Sequence, residues 1–442
     1  MKSVQIVLML FFVSVASFAQ EKKWTLKECI NHAIKNNISI KQSELDLQTT
    51  AITKKDAIGN FLPNLNASSS HSWNVGLNQN ITTGLLQNQT TQFTSANLNA
   101  NVDVFKGLQN VNQLRKANLS IIATQYQLIK MQEDVALNVA NAYLQILFNK
   151  ENLKVQKVQN LLDTKQYNRT VELVDAGNVP KGDLLDIQAT MASGKQRVIV
   201  AENALMLSKL SLAQLLQIQD FQNFDISEED IPSMLSTILN ETPEAVIAKA
   251  KESRTELKIA QTNLAIAEKD ISIAKGAYSP TLSAFYSFNT RASYTDRITG
   301  FELDPLNPTP IGYVNGTGQV VLQPNYTATL GNPLPVFKQF DNNKGQNFGL
   351  SLNIPIFNGF TVRNNVARSK IALERSKLAK SQQELDIERN VFTAYSDTKA
   401  AKESYEAALQ IEKARELAMQ YAKDRYEIGM MNIFDYNQSQ TA

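Results

Sequence analysis

Apolar residues between Leu108 and Val174 recur every seven positions, at Leu114, Ile121, Leu128, Val135 and Ala142. A second seam of small or apolar residues accompanies them at Ala117, Thr124 and Met131. The stretch holds 67 residues with neither proline nor glycine, which predicts one helix about 100 Å long. That is far beyond the helices of ordinary domains, and a heptad seam is buried against other helices, not on a sheet. Gly177 ends it in the run Asp175-Ala176-Gly177-Asn178-Val179-Pro180. Glycine suits a left-handed helix terminus, and Pro180 cannot continue the helix.

The flanking pattern alternates between helix and strand signals. Thr25 and Glu28 have capping-box spacing and open a helix over 25–58, closed by Gly59 and Pro63. From Asn64 to Val104 the chain is rich in Asn, Ser, Thr and Gln, with alternating Leu65, Ala67 and Leu98, Ala100, Val102, Val104. This predicts strands over 64–78 and 92–104 around a polar turn. Aromatic residues of the strand segments (Trp73, Phe93, Phe285, Tyr286, Phe288, Phe348) suit a girdle at a membrane interface. After the long helix (108–174), a return helix runs over 181–218, followed by an acidic connector, 219–241, with Asp220, Glu228, Glu229, Asp230 and Pro232. Thr242-Pro243 then starts another helix, 243–276, with Thr as cap and Pro at the first helical position.

From there the chain repeats itself. An offset of 217 places Pro63 on Pro280, Ile40 on Leu257, Leu47 on Leu264 and Gly59 on Gly276. An offset of 252 places Val104-Phe105-Lys106-Gly107 on Ile356-Phe357-Asn358-Gly359, Tyr143 on Tyr395, Gly177 on Gly429 and Asp183 on Asp435. Registers held across helices and turns indicate a duplication. The first repeat covers 20–218 and the second 242–442, with strands 281–292 and 347–357, a long helix 360–428 and a helix from 433. The offsets, 252 against 217, differ by 35 residues, so the second repeat carries an insertion of that size within 291–346. Its density of Gly, Pro, Asn and Tyr predicts a long loop. The second return helix stops at Ala442, opposite Thr190 of the first, and is expected to be cut short there.

Composition narrows the function. Residues 1–19 read as a secretory signal peptide, with Lys2, an apolar run from Val4 to Val15, and small residues before a cut after Ala19. Beyond it no run of about 20 apolar residues stands out, so membrane entry calls for β-strands. The 44 basic and 42 acidic residues nearly cancel, which speaks against nucleic acid as a partner. One cysteine and two histidines argue against a disulfide framework or a metal site. No phosphate loop or nucleophile elbow is present; the reading is a non-enzyme without cofactor.

Four strands cannot close a membrane-spanning sheet, since outer-membrane barrels have at least about eight. The chain must therefore oligomerise. Two copies would give a filled barrel; three would give twelve strands and an open lumen. The short helices, 25–58 and 181–218, measure about 51 and 57 Å and together match the long one. The element order, the segment Phe61-Leu62-Pro63-Asn64-Leu65 with its counterpart Tyr278-Ser279-Pro280-Thr281-Leu282, and Phe357-Asn358-Gly359 resemble the TolC-type outer-membrane efflux factors over essentially the whole mature chain. The resemblance implies an α+β membrane protein whose homotrimer forms a 12-stranded barrel in outer-membrane lipid, continuous with a periplasmic helical tunnel. It also implies partners, a periplasmic adaptor (membrane fusion) protein and an inner-membrane pump, with passive export as the function. The competing reading is a soluble periplasmic coiled-coil scaffold or adaptor.

The family's tip motif, Gly-x-x-x-x-x-Asp-x-x-Asp, falls on Gly429 and Asp435, but Gln438 replaces the second acid. Met431 stands where the family often has a basic residue of a closing lock. The first repeat keeps both acids, Asp183 and Asp186, after Gly177. The resemblance implies that Asp183, Asp186 and Asp435 line the periplasmic aperture and that Gly177 and Gly429 mark adaptor-contact tips. An acid in a helix's first turn is also favoured by the helix dipole alone.

Overall fold

The computed structural model describes residues 23–79, 84–228, 239–431, 435–436 and 438–439. The signal peptide, Glu229, Asp230 and Pro232 of the connector, and the start of the last helix at 433 lie outside the described residues. The described residues form two compact units, one from those within 1–52, 118–267 and 372–442, the other from those within 53–117 and 268–371.

In the first repeat the elements are β1 (Lys23–Trp24), α1 (Leu26–Asn36), α2 (Ile38–Gly59), β2 (Asn64–Gln79), β3 (Leu86–Lys106), α3 (Gln109–Asp175) and α4 (Lys181–Leu216), followed by β4 (Asp225–Ile226). Then come α5 (Pro243–Ser253), α6 (Thr255–Gly276), β5 (Thr281–Ser293), β6 (Arg297–Tyr313), β7 (Val320–Gly331), α7 (Val336–Asn342), β8 (Gly345–Asn353) and α8 (Thr361–Glu427). Helices α3 and α8 each run 67 residues.

The helical unit is built around one apolar cluster. Cys29 and Ala33 of α1, Ile40 of α2, Val135, Val139, Tyr143 and Ile146 of α3, and Leu212 and Leu216 of α4 are buried together. Of the predicted seam, Val135 lies in that cluster, and Leu128, Met131 and Ala142 pack against it. The Tyr143 hydroxyl donates to Ser227 O at 2.6 Å, satisfying its one polar atom as burial requires. The segments β1 and β4 pair in parallel next to it. Thr25 caps α1 as a full capping box: its N–H donates to Glu28 Oε2 at 3.0 Å, and Glu28 N–H donates back to its Oγ1 at 3.2 Å.

Three sequence expectations need correction. The opening helices, expected as unbroken over 25–58 and 243–276, each break, at Asn37 and at Arg254. Both residues take the same extended conformation, φ −61° and −64° with ψ 133° and 130°. Asn37 is held there by donating to Leu215 O and accepting from Ser39 N–H. Second, α4 does contain an apolar stretch long enough, by composition, to cross a membrane; its last turn, with Leu212, Ala213 and Leu216, is instead buried in the helical core. Third, 291–346 is not a loop. It folds into the β6–β7 ribbon and the short helix α7.

Among the described residues the strand unit contains a four-stranded antiparallel sheet in the order β2-β3-β5-β8. Helix α7 seals the part of β5 that β8 does not reach. Pairing of β5 with β8 stops at Asn289–Gly345. Beyond it, Ser293 N–H donates to Gln339 Oε1 and Gln339 Nε2 returns a bond to Ser293 O, both at 2.9 Å. Asn343 Nδ2 donates to Arg291 O at 2.7 Å. Two side-chain amides thus stand in for a neighbouring strand, where an open edge would invite mispairing.

Candidate functional site

Residues directly opposite in an antiparallel sheet share a face, so the register sorts every strand residue. One face collects Leu65, Ala67, Trp73, Val75 and Leu77 of β2 with Leu98 and Ala100 of β3. It continues with Ala284, Tyr286 and Phe288 of β5 and Leu352, Leu350 and Phe348 of β8. Many of these lie open: Val75 is 80% exposed, Leu77 70% and Phe348 76%. Polar groups on this face bond among themselves, His71 with Thr94 at 2.8 Å and Thr94 with Tyr294 at 2.9 Å.

The opposite face is a lawn of amides and hydroxyls. It carries Asn64, Asn66, Ser68 and Ser70 of β2, Asn97, Asn99 and Asn101 of β3, Ser283, Ser287 and Asn289 of β5, and Ser351 of β8. Ser70 and Ser95 share a hydrogen bond at 2.8 Å, and Ser287 Oγ donates to Asn99 Oδ1 at 2.8 Å. A sheet apolar on one side and polar, mostly amide and hydroxyl, on the other fits a wall between lipid and water. The same register divides the aromatic girdle expected from sequence. Trp73, Tyr286, Phe288 and Phe348 stand on the apolar face, whereas Phe93 and Phe285 stand on the polar one. There Arg291 covers Phe93, 4.7 Å from its ring centre, and Phe285 lies against Gly349, where an added Cβ would be 3.1 Å from its Cζ.

The turns after α3 and α8 are built alike. Gly177 (φ +76°) and Gly429 (φ +75°) take the left-handed conformation. Asn178 N–H donates to Leu173 O at 2.9 Å, and Met430 N–H to Arg425 O at 2.8 Å. Each wraps the last carbonyls of its helix, as a glycine at this position permits. Asp183 and Asp186 are exposed on the first turns of α4, and Asp435 is exposed just past the second turn. No group of three His, Cys, Asp or Glu suited to a metal occurs among the described residues.

What the structure brings together near these turns is a different set. The Arg169 guanidinium of α3 donates to the Tyr426 hydroxyl of α8 and lies 5.7 Å from its ring centre. Tyr426 in turn stacks on Tyr436, with ring centres 4.8 Å apart and planes 12° from parallel. Sequence reasoning missed this trio; the available signal was Tyr426 standing three positions before the turn glycine.

The helical unit holds a half-buried charge centre at Asp225. Asp225 Oδ1 is 2.9 Å from both Lys150 and Lys209 Nζ. Burial pushes its carboxyl up, but the hydrogen bonds and charges of Lys209 and Lys150 outweigh it and hold the group below its ordinary value.

The family described as "Outer membrane efflux protein" matches residues 29–216 and 246–442. The chain belongs to this family. The two matched stretches begin 217 positions apart, at 29 and at 246. The cation efflux system protein CusC of Escherichia coli (strain K12) is 22% identical over 277 residues, which span 61% of this chain and 56% of CusC. A crystal structure of CusC superimposes with a TM-score of 0.73 at 17% identity, covering 96% of this chain and 89% of that one. The Campylobacter jejuni CmeC outer membrane channel gives 0.71 at 17% identity, covering 94% and 79%. VceC of Vibrio cholerae gives 0.69 at 14% identity, covering 94% and 89%. These likenesses establish the shared fold of helices and strands.

Proposed function

We propose that this protein is the outer-membrane exit duct of a tripartite efflux or type I secretion system. It passively conducts what a pump and adaptor deliver from the periplasm. One observation carries the reading: a four-stranded sheet, apolar on one face and Asn/Ser-rich on the other, whose outer strands β2 and β8 are each paired on one side only among the described residues. Lipid tolerates no open edge, so such a sheet must close with further copies. Three copies supply twelve strands and a lumen wide enough for water, where two would give a filled barrel. The lumen wall is then mostly amide and hydroxyl, with Asp103 and Arg291 as charged exceptions, which lets diverse solutes pass without holding them. A soluble periplasmic scaffold or adaptor accounts for the long helices but leaves the exposed apolar sheet face without purpose.

In this reading the chain is two tandem repeats of helix, hairpin, long helix and return helix, and no step of the work is catalytic. The paired register supports the duplication: Asn64↔Asn101 in the first hairpin corresponds to Thr281↔Asn353 in the second, by the sequence offsets of 217 and 252. The turns at Gly177 and Gly429 contact the adaptor, and Asp183, Asp186 and Asp435 form an acidic aperture. Fractionation and planar-bilayer recording of the full chain test the proposal. Trimers extracted from the outer membrane with a stable conductance are expected; a soluble monomer without conductance would refute it. Replacing Asp183, Asp186 and Asp435 with Asn should relieve block by polyvalent cations if the acids line the aperture. Unchanged block would remove them from it.

A further inference from the structure

The polar face of the four-stranded sheet carries charge in two places, and only one of them is neutralised. Asp103, near the end where the helices begin, is matched by Lys106 at 2.8 Å. Arg291 stands toward the other end of β5, directly opposite Ser95 of β3. It lies ten residues beyond Thr281, the start of its strand, or about 34 Å along it. Around it the polar-face residues of β2, β3, β5 and β8 are amides, hydroxyls, glycines and two rings, with no acid. The acid of α7, Asp341, is already paired with Lys344 at 2.8 Å. In the connector after β5, Asp296 is followed by Arg297, so that pair adds no net charge.

Two contacts fix where the Arg291 charge sits. Asn343 Nδ2 donates to its carbonyl oxygen at 2.7 Å, so α7 pins the backbone. The guanidinium lies over the Phe93 ring, 4.7 Å from its centre. Phe93 is half-buried and faces Ser72 across the β2–β3 ladder. An aromatic ring has no partner of its own kind in that lawn; its use there is as a platform for the cation. A cation–π contact consumes no N–H donor, so the planar guanidinium fork stays available for oxyanions. The same cross-strand row adds hydroxyls. Ser95 and Ser70 share one hydrogen bond at 2.8 Å, which uses one of their two hydroxyl protons and leaves the other to donate onward.

We infer that Arg291, braced on Phe93, is an oxyanion station on the wall of the duct and biases it toward solutes bearing carboxylate, phosphate or sulfate groups. Each copy contributes one such cation at one level of the wall, so a closed ring of copies sums their fields at that level. Arginine suits the task better than lysine, since its fork meets a planar oxyanion with two parallel N–H donors. Water competes for every one of these bonds, so the station delays an anion briefly and releases it. The position, far along β5 from the helices, puts this preference at the opposite end of the chain from the acids Asp183, Asp186 and Asp435.

The inference rests on the proposed duct, and the test separates the two. Single channels of the full chain are recorded in planar bilayers under a potassium chloride gradient, then with inorganic pyrophosphate added on the side facing away from the helices. Arg291→Gln should lower the chloride-to-potassium permeability ratio about threefold at about 0.1 M salt. The difference should fade near 1 M, where the Debye length shrinks from about 10 Å to about 3 Å. An unchanged ratio at low salt would overturn the station. Arg291→Lys keeps the charge and should keep the ratio, but pyrophosphate block should weaken about tenfold for want of the fork. Block as strong as in the unsubstituted chain would overturn the oxyanion contact. Phe93→Leu removes the platform alone and should weaken block about threefold; undiminished block would remove Phe93 from the station. An unsubstituted chain without conductance would defeat the duct reading itself.

Discussion

Arg169 both donates a hydrogen bond to the Tyr426 hydroxyl and covers its ring, joining α3 to α8 across 257 positions of sequence. Tyr436 stacks on the other partner's ring and ties the second turn segment to the pair. Both long helices are therefore clasped a few residues before their terminal glycines.

Arg169→Ala removes hydrogen bond and cation–π contact together, a loss of about 1–2 kcal/mol. In planar bilayers the balance between low- and high-conductance states should shift about tenfold toward the open one. Tyr426→Phe keeps the ring and loses only the hydrogen bond, so its shift should be smaller. Identical single-channel records for wild type and Arg169→Ala would show that the clasp does not restrain the tip.

Gly276→Ala should damage the folded chain itself. Its methyl would meet Gly107 O, a backbone atom, and would stand 2.6 Å from Gln109 Cγ. Overpacking of this kind costs about 3 kcal/mol, and backbone cannot swing aside. The yield of heat-modifiable, membrane-inserted protein is the measurement, and a yield equal to wild type would contradict the close approach.

Asp225 predicts an acid limit for the helical unit. Its carboxylate, held below the ordinary value between Lys150 and Lys209, contributes stability fully present above about pH 4, the unfolded aspartate's value. That contribution is lost as pH falls through the lower folded value. Asp225→Asn leaves two ammonium groups facing one another and should cost about 2 kcal/mol at pH 7. It should also flatten the acid limb of the denaturation curve followed by circular dichroism. An unchanged acid limb would mean that other carboxylates set it.

The two sheet faces predict opposite responses at adjacent positions. Leu98→Lys places a charge on the apolar face, where lipid penalises it by about 2–4 kcal/mol at mid-membrane depth; assembly into the outer membrane should drop. Asn99→Lys faces the amide side and should assemble normally while shifting the channel toward anions. Reversal of these outcomes would invert the assignment of faces.

Much of this architecture was readable from residue patterns because its longest elements depend on local rules. A stretch without glycine or proline, ended by Gly177 and Pro180, can hardly be anything but a helix, and α3 ends at Asp175. The helix breaks at Asn37 and Arg254 leave no such trace, because neither residue is a breaker. Asn37 is held by a partner, Leu215, 178 positions away. The β6–β7 ribbon was hidden by its own composition. Pro305, Pro308 and Pro310 sit in β6, whose pairing with β7 skips at Asp304/Thr309 and Pro310/Gly312. An isolated ribbon has free outer edges, where a missing N–H costs nothing. Phe93 and Phe285 are not separable from the other aromatics by identity, because each is a lone ring on the polar face, Phe285 between Ser283 and Ser287, and only the register reveals the face. The Arg169 clasp required the fold.

The amide seal on β5 bears on how the protein can change over evolutionary time. Because Gln339 and Asn343 close the strand's edge before the ribbon begins, the sheet does not depend on β6 and β7 for its hydrogen bonds. Loop-closure entropy grows only logarithmically with length, by about 0.6 kcal/mol per doubling. The insert can therefore lengthen, shrink or exchange its sequence at small energetic cost, leaving the wall behind it to be selected for other properties.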